Sequence, residues 1–391
     1  MIRRRLGALK ARISGDRSPA GDPPTPAPTA ARPARAAEAA DPGPAESWLL
    51  TDEPHRVRLR VEGGRRLLPA EDLAAFTPWH VEPRGLCSGD ECVPWPGGSQ
   101  DRDLSEVDLD EFSELTGTPL ASEPIGDGGF AIAMGRAARR WPLADRLDAP
   151  EVTLPDLDGR PRRLSEWSGR KRVLLVFASW CGRRDDLPAW QQVIDGLGGT
   201  GDWAFVAIAA DESPEQVRPL VGPFREPVLH DPDRHFCEAY GVIHVPTVIW
   251  VDEHDRVVRP NDLVFADDRL REHTGLDSSV HHEALRRWLS GEEAVDEDEV
   301  RARQMAPTQE EQLARAEFRL AVWLLRRGEE EAARRHLDAA GRLSPEDFTI
   351  RRAGIQLTGG DPFGEEFAAL AEDWMAHSGG RYYRPRPPVA G

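Results

Sequence analysis

The chain has 391 residues, a formal net charge of −18 and 39% hydrophobic residues, which suits two or three domains rather than one compact core. The acidic balance argues against nucleic acid as a main partner, because phosphate binding needs clustered Lys and Arg. No stretch approaches the ~18 apolar residues of a membrane helix, and the basic start lacks the apolar core of a secretory signal, so we expect a cytoplasmic protein without a membrane partner.

The first 47 residues predict a disordered tail. They contain eight prolines among Ala, Arg, Gly and Ser, and almost no large apolar side chains. Such a stretch cannot bury enough surface to offset the entropy lost on ordering.

Residues 48–146 predict a small α+β domain. Arg56, Arg58 and Arg60 alternate with apolar residues, which is the period of a half-buried strand that ends at Gly63-Gly64. The pattern then predicts a short helix beginning at Pro69, two short strands in HVEPRGLCSGDECVPW, a helix over 108–115 that stops at Gly117, and a strand in GFAIAMG.

Two cysteines of this domain, Cys87 and Cys92, flank a predicted Ser88-Gly89-Asp90 turn. They could face each other across a hairpin at disulfide distance, or be two ordinary thiols in a loop. Four cysteines in the whole chain are too few for a disulfide scaffold. We expect no metal, since neither a second pair nor a nearby His-x-His supplies four zinc ligands.

Residues 147–291 predict alternating strands and helices. In order, the pattern indicates a hairpin around Asp158-Gly159, a buried strand over 173–177, a helix with Leu187, Trp190, Ile194 and Leu197 on one face, a strand in WAFVAIAADE, a helix over 214–221, a strand, turn and strand in TVIWVDEHDRVV, and a helix over 283–289. This order predicts a mixed sheet with helices on both faces.

Four stretches in this region, APEVTLPDLDG, VLLVF, ASWCG and YGVIHVPTVIWVDEHDRVV, resemble the redoxins. That superfamily includes alkyl hydroperoxide reductases, thiol-specific antioxidants and cytochrome-maturation thiol-disulfide reductases. The resemblance implies an α/β thioredoxin fold, no cofactor, and a thiol-dependent oxidoreductase with an antioxidant role. It also implies a partner, either an external thiol reductant or a thioredoxin-like protein.

Cys181, in ASWCG, is the candidate catalytic thiol. A helix N-terminus and the neighbouring Arg183 and Arg184 are expected to lower its pKa, although a small apolar side chain filling the turn is an alternative interpretation. Arginine occupies both positions at which a reductase would carry its resolving cysteine, so the dithiol cycle cannot run. A lone thiolate suits reduction of a peroxide through a sulfenic acid, or of a disulfide. Against a peroxidase, Ala178 replaces the threonine of the peroxiredoxins.

The stretch Val245-Pro246-Thr247 matches the cis-proline loop that faces the reactive cysteine in thioredoxin folds. The resemblance makes Val245 and Pro246 substrate-binding residues, and Trp180 is expected to line the site. His244 is a candidate acid or base for Cys181, or a solvated loop histidine.

The other three cysteines receive different interpretations. Cys87 and Cys92 are candidate resolving cysteines if their domain docks over Cys181. Cys237, beside Phe236 and Tyr240, is interpreted as a packing residue on a helix.

After an acidic linker over 292–308, residues 309–378 resemble one tetratricopeptide repeat followed by a further helix near 363–374, before a tail over 379–391. A plain helical hairpin is the alternative. Because one repeat cannot bury both faces alone, we expect it to pack on a neighbouring domain or bind a protein partner. The rival to an enzyme is therefore a redox-inactive adaptor.

Overall fold

The structure is a computed structural model that describes residues 46–377, apart from 101, 127, 142, 144–145, 183–185, 270, 275, 293–295 and 305. The predicted tails therefore lie almost entirely outside the described residues. Among the residues that are described, no helix has the length and apolar character needed to cross a membrane.

The N-terminal unit, residues 46–146, consists of three small sheets and two helices. Its strands are β1 (Ser47–Leu50), β2 (Pro54–Val57), β3 (Arg60–Glu62), β4 (Arg65–Pro69), β5 (His80–Glu82), β6 (Gly85–Ser88), β7 (Glu91–Pro94), β8 (Glu106–Asp108), β9 (Leu120–Ile125) and β10 (Gly129–Met134); its helices are α1 (Ala70–Phe76) and α2 (Leu109–Thr116). The sheets have the orders β2-β1-β10-β9, β3-β4-β8 and β5-β6-β7. Leu49, Leu68, Leu73, Phe112 and Ile132 are buried in their shared core.

Two strand predictions in this unit were wrong in detail. The strand expected over 56–61 is interrupted: β2 and β3 belong to different sheets, and between them the Arg58 N–H donates to the Asp72 carboxylate at 3.2 Å. The stretch 80–94 forms three strands rather than two, because β5 pairs back onto β6. The helix at Pro69 and the helix stop at Gly117, which has a φ of 70°, were predicted correctly.

The central unit, residues 147–291, contains a five-stranded sheet and a two-stranded hairpin, seven strands in all. Its strands are β11 (Thr153–Pro155), β12 (Pro161–Arg163), β13 (Lys171–Phe177), β14 (Trp203–Ala209), β15 (Val228–His230), β16 (Thr247–Val251) and β17 (Val257–Asp262); its helices are α3 (Leu187–Gly196), α4 (Pro214–Val221), α5 (His235–Tyr240), α6 (Arg271–Thr274) and α7 (Ser278–Ser290).

Strand β13 is at the centre of the order β15-β14-β13-β16-β17. It runs parallel to β14 and antiparallel to β16, and β16 pairs antiparallel with β17. The run Val173–Phe177 is buried because apolar clusters cover both faces of the sheet. This is the predicted thioredoxin fold, with β11 and β12 forming the predicted hairpin at Gly159.

The C-terminal helices are α8 (Glu297–Arg303), α9 (Gln309–Arg326), α10 (Glu330–Leu343), α11 (Phe348–Leu357) and α12 (Glu365–His377). Helix α8 corrects the expectation of a plain linker. It packs on the central unit with Val300 buried and with Arg256 and Glu297 2.9 Å apart. Helix α11 was not predicted.

Helix α9 packs between the other two units. Ala316 and Leu320 pack with Ala131 and Ala133 of β10, and the helix also contributes to the apolar cluster of the central unit. The approach is close at Gly135, where a Cβ atom would lie 2.8 Å from the Gln312 carbonyl oxygen. Helix α9 therefore contacts the N-terminal unit through one apolar cluster and the central unit through another.

Candidate active site around Cys181

Cys181 follows the carboxyl end of β13, where the chain turns and the Cys181 N–H donates to the Ala178 carbonyl at 3.1 Å. Its side chain is only 5% exposed. The Sγ atom donates to the Val245 carbonyl oxygen at 3.3 Å. Since a thiolate has no proton to donate, this contact belongs to the protonated thiol.

The Val245–Pro246 peptide bond is cis, as predicted from Val-Pro-Thr. Register explains why this loop faces the cysteine. Strand β16 starts at Thr247, which pairs with Val176 near the end of β13, so the residue before the proline lies beside the turn that carries Cys181. Strand pairing therefore brings together two segments that are far apart in sequence.

His244 and Trp180 are both buried, which was not expected. His244 Nδ1 lies 3.0 Å from Thr247 Oγ1, so the alternative of a solvated loop histidine was wrong. The Trp180 indole is 2% exposed and donates to the Ala210 carbonyl at 3.1 Å. It packs in the core beneath the turn instead of forming an exposed wall of the site. The role of His244 as acid or base stays a prediction.

Residues 144–267 match the sequence model of the Redoxin family. The chain contains a redoxin domain. Over 137 residues it is 24% identical to the thiol-disulfide oxidoreductase ResA of Bacillus cereus, covering 34% of this chain and 79% of that one. The ResA protein of Bacillus subtilis is 25% identical over 134 residues, covering 34% and 74%. A solved structure assigned as the thiol:disulfide interchange protein DsbE of Chlorobium tepidum is 27% identical, covering 29% and 80%, with a TM-score of 0.27.

The environment of Arg183 and Arg184 lies outside the described residues of the redoxin domain. Helix α3 begins at Leu187, and Asp186 before it has helical dihedral angles, with φ −78° and ψ −23°. The expected contact of Cys181 with a helix N-terminus stays a prediction.

Asp211 was missed by the sequence analysis. It follows β14, whose carboxyl end lies beside that of β13, and its two carboxylate oxygens accept the Ser179 N–H at 3.0 and 3.2 Å. Burial raises the pKa of this carboxyl, against the lowering effect of the Ser179 hydrogen bonds. A buried carboxyl thus anchors the turn two residues before Cys181. The sequence feature that could have indicated Asp211 is the acidic pair Asp211-Glu212, which directly follows the apolar strand β14.

The C-terminal helices hold the cis-proline loop from outside the redoxin domain. Arg315 of α9 donates to the Val242 carbonyl at 2.8 Å and pairs with Asp347 at 2.9 Å. The Phe348 N–H of α11 donates to the Ile243 carbonyl at 2.7 Å. Cys181 belongs to the same large apolar cluster as residues of α9 and α11.

The remaining cysteines have distinct environments. Cys237 is fully buried on α5, as predicted, and burial raises its pKa well above that of a free thiol. Cys87 and Cys92 form a disulfide between β6 and β7 in the N-terminal unit, with an S–S distance of 2.06 Å. The first of the two predicted alternatives, a hairpin pair at disulfide distance, is therefore correct. Their role in resolving Cys181 stays a prediction.

A separate cleft lies between the N-terminal unit, α5 and α9. Trp79, Glu91, Arg140, Glu238 and Arg319 are among its lining residues, and Cys181 is not. Arg140 and Glu91 are 2.7 Å apart, and Arg319 pairs with Glu238. Because the reactive thiol does not line this cleft, we do not place the substrate there.

Proposed function

We propose that the protein is a thiol-dependent oxidoreductase whose single catalytic thiol, Cys181, reduces a disulfide substrate. The observation that carries the proposal is the 3.3 Å contact between Cys181 Sγ and the Val245 carbonyl oxygen at a cis Val245–Pro246 bond. A redoxin domain and relatives named thiol-disulfide oxidoreductases support the same chemistry.

The proposed reaction runs in three exchanges. The Cys181 thiolate attacks one sulfur of the substrate disulfide, so a mixed disulfide forms and the other substrate sulfur leaves as a thiolate. A thiolate of an external dithiol partner then attacks the Cys181 sulfur, which releases the second substrate sulfur as a thiolate and leaves Cys181 bonded to the partner. The second thiolate of the partner attacks the partner sulfur of this bond, so the partner becomes a disulfide and the Cys181 thiolate is restored. The external thiol is needed because Arg184 stands where a dithiol enzyme would carry its second cysteine.

The loop before the proline is proposed to bind the substrate backbone. In the protonated thiol Cys181 donates to the Val245 carbonyl, and this proton must leave before the sulfur can attack. Loss of the thiol proton would therefore free the Val245 oxygen for a substrate N–H at the same time as it creates the nucleophile.

A peroxide is the second candidate substrate, because a lone thiolate would be oxidised to a sulfenic acid that an external thiol could resolve. We favour the disulfide, since the relatives are named for it and Ala178 replaces the peroxiredoxin threonine.

Localisation in the cytoplasm also stays a prediction. The Cys87–Cys92 disulfide is a type of bond more common in oxidising compartments, so cell fractionation is needed to decide.

The test is to incubate the reduced full chain with glutathione disulfide and, separately, with hydrogen peroxide plus a sulfenic-acid trap. Peptide mass spectrometry would then locate each adduct. We expect a glutathione adduct on Cys181 in the wild type and in Cys237→Ser, and no adduct at position 181 in Cys181→Ser. A sulfenic acid without a glutathione adduct would favour the peroxide. An unmodified Cys181 under both conditions would contradict the enzyme and favour the adaptor.

A further inference from the structure

The three-stranded sheet β5-β6-β7 brings four metal-binding side chains together. His80 of β5 lies opposite Cys87 of β6, and Cys87 lies opposite Cys92 of β7. Glu82 is two residues beyond His80, so it shares a face of β5 with it. One donor atom each from His80, Glu82 and Cys87 lie within 4.8 Å of one another, and the Cys92 sulfur is bonded to that of Cys87.

We propose that reduction of the Cys87–Cys92 disulfide converts this sheet into a zinc site, with two thiolates, the His80 imidazole and the Glu82 carboxylate as ligands. Four donors of these types suit tetrahedral Zn²⁺, which takes sulfur, nitrogen and carboxylate oxygen. The separation of the two cysteines, with four residues between them, lies within the spacing usual for one half of a structural zinc site.

The local framework holds these donors in place. A two-residue turn joins β6 to β7, and Gly89 adopts the positive φ of 59° that this turn requires. Cys87 is fully buried, so its sulfur is shielded from solvent. The backbone of Glu82 is held from the side, because the Trp95 indole donates to its carbonyl oxygen at 2.8 Å.

Glu82 divides its two oxygens between two partners. Its Oε2 accepts from Arg84 at 2.6 Å, and its Oε1 lies 2.9 Å from His80 Nε2. Arg84 therefore acts as an outer partner that orients the carboxylate, in the way that hydrogen-bonding groups orient the ligands of metal sites. The Oε1 atom and His80 Nε2 are the two atoms that would turn to the metal.

The disulfide and the metal exclude each other, because both need the same two sulfur atoms. Reduction by an external dithiol adds two electrons and two protons to the Cys87–Cys92 pair, and the dithiol becomes a disulfide. Zinc binding then releases the two thiol protons. Oxidation by a disulfide reagent would reform the Cys87–Cys92 bond and release the ion. Zinc binding to the sheet would therefore depend on whether the Cys87–Cys92 pair is oxidised or reduced. This inference does not depend on the reaction of Cys181.

The sequence analysis expected no metal because it looked for ligands along the chain, whereas this proposal rests on ligands that strand pairing brings together. It counted a second cysteine pair or a His-x-His motif and found neither. His80 and Glu82 are spaced as His-x-Glu on a strand, and only the pairing of β5 with β6 brings them beside Cys87.

The experiment uses the full chain and Co²⁺ as a spectroscopic probe, followed by displacement with Zn²⁺. The protein is reduced with a phosphine, which is then removed. We expect one equivalent of Co²⁺ to give thiolate charge-transfer and tetrahedral absorption bands, which one equivalent of Zn²⁺ abolishes. The oxidised wild type should give no bands. It serves as a control that has the same sequence as the reduced protein. Addition of a disulfide reagent to the zinc form should release the ion and reform the Cys87–Cys92 bond in peptide maps.

Variants then test each ligand. Cys87→Ser and Cys92→Ser should lose the thiolate bands, whereas Cys181→Ser and Cys237→Ser should keep them. His80→Ala should weaken Co²⁺ binding by more than the about 10- to 100-fold typical of an outer partner, and His55→Ala is the matched histidine control. Circular dichroism would verify that each variant is folded. Absence of the bands in the reduced wild type, their loss in Cys181→Ser, or unchanged affinity in both His80→Ala and Glu82→Ala would overturn the four-ligand site.

Discussion

The C-terminal helices contact the cis-proline loop, and we predict that these contacts limit the access of reagents to Cys181. Arg315 makes two contacts there, one with the Val242 carbonyl and one with Asp347, and both charged side chains are almost completely buried. We choose Arg315→Met, which keeps much of the side-chain volume but leaves the Asp347 charge without its partner.

The magnitude follows from burial. Removing one partner of a buried ion pair costs about 3–5 kcal/mol, because the remaining charge stays desolvated. Part of this cost, about 3 kcal/mol, can fall on the contact between the C-terminal helices and the cis-proline loop. The fraction of molecules in which the helices have separated from the loop then rises on the order of 100-fold, because about 1.4 kcal/mol changes an equilibrium tenfold. Where opening is fast relative to the chemistry, the alkylation rate of Cys181 rises by the same factor.

The assay measures the rate of alkylation of Cys181 by iodoacetamide, read by peptide mass spectrometry, beside thermal unfolding of the same samples. The double variant Arg315→Met with Asp347→Asn removes both charges and should recover part of the effect. The control is Arg172→Met. Arg172 is also buried and binds a carboxylate and a backbone carbonyl, but its partners are Asp255, whose side chain is 46% exposed, and Leu164, and neither belongs to the cis-proline loop.

One result would refute this reasoning. If Arg315→Met lowers the melting temperature but alkylates Cys181 at the wild-type rate, the helices stabilise the fold without covering the thiol. If the alkylation rate rises similarly in Arg172→Met, the exposure of Cys181 results from a general loss of stability.

Three further predictions concern the thiol and the helices. In a variant that retains only Cys181, the alkylation midpoint should lie below the free-thiol value of ~8.5 if the neighbouring arginines act as the sequence predicts, and a midpoint at or above it would contradict them. Arg184→Cys should form a disulfide with Cys181 and reduce insulin, and failure to form it would mean that the turn differs from that of dithiol reductases. Burial lowers the pKa of His336, but hydrogen bonds and charges of Glu317 and Glu123 raise it overall. The stability that this histidine contributes is therefore complete below its unfolded pKa of ~6.5 and is lost as the pH rises through the raised folded value. Urea unfolding should show that His336→Gln costs less stability above that window than below it, and a cost independent of pH would reject the assignment.

Local patterns predicted the elements of the redoxin domain well. The apolar run of β13 is a strand buried on both faces, as predicted, and α4 spans the predicted residues 214–221. The cis bond before Pro246 was also predicted, since the stretch around it resembles the redoxins closely. These features depend on neighbours in the chain, so a single sequence determined them.

Several features of the candidate site required the tertiary structure because they join residues far apart in the chain. Asp211 holds the Ser179 backbone only because β14 pairs with β13, and Arg315 reaches the Val242 carbonyl only because α9 packs against the redoxin domain. The break between β2 and β3 follows in the same way from a hydrogen bond to Asp72.

The cysteines show the same division most directly. The sequence by itself determined that the chain has one thiol in a redoxin motif and a separate pair around a turn. Only the tertiary structure decided that the first is buried against a carbonyl oxygen, and that the second has a histidine and a glutamate beside it. The physical reason is that the reactivity of a sulfur depends on the charges, donors and solvent around it, and strand pairing and helix packing bring these from distant parts of the chain.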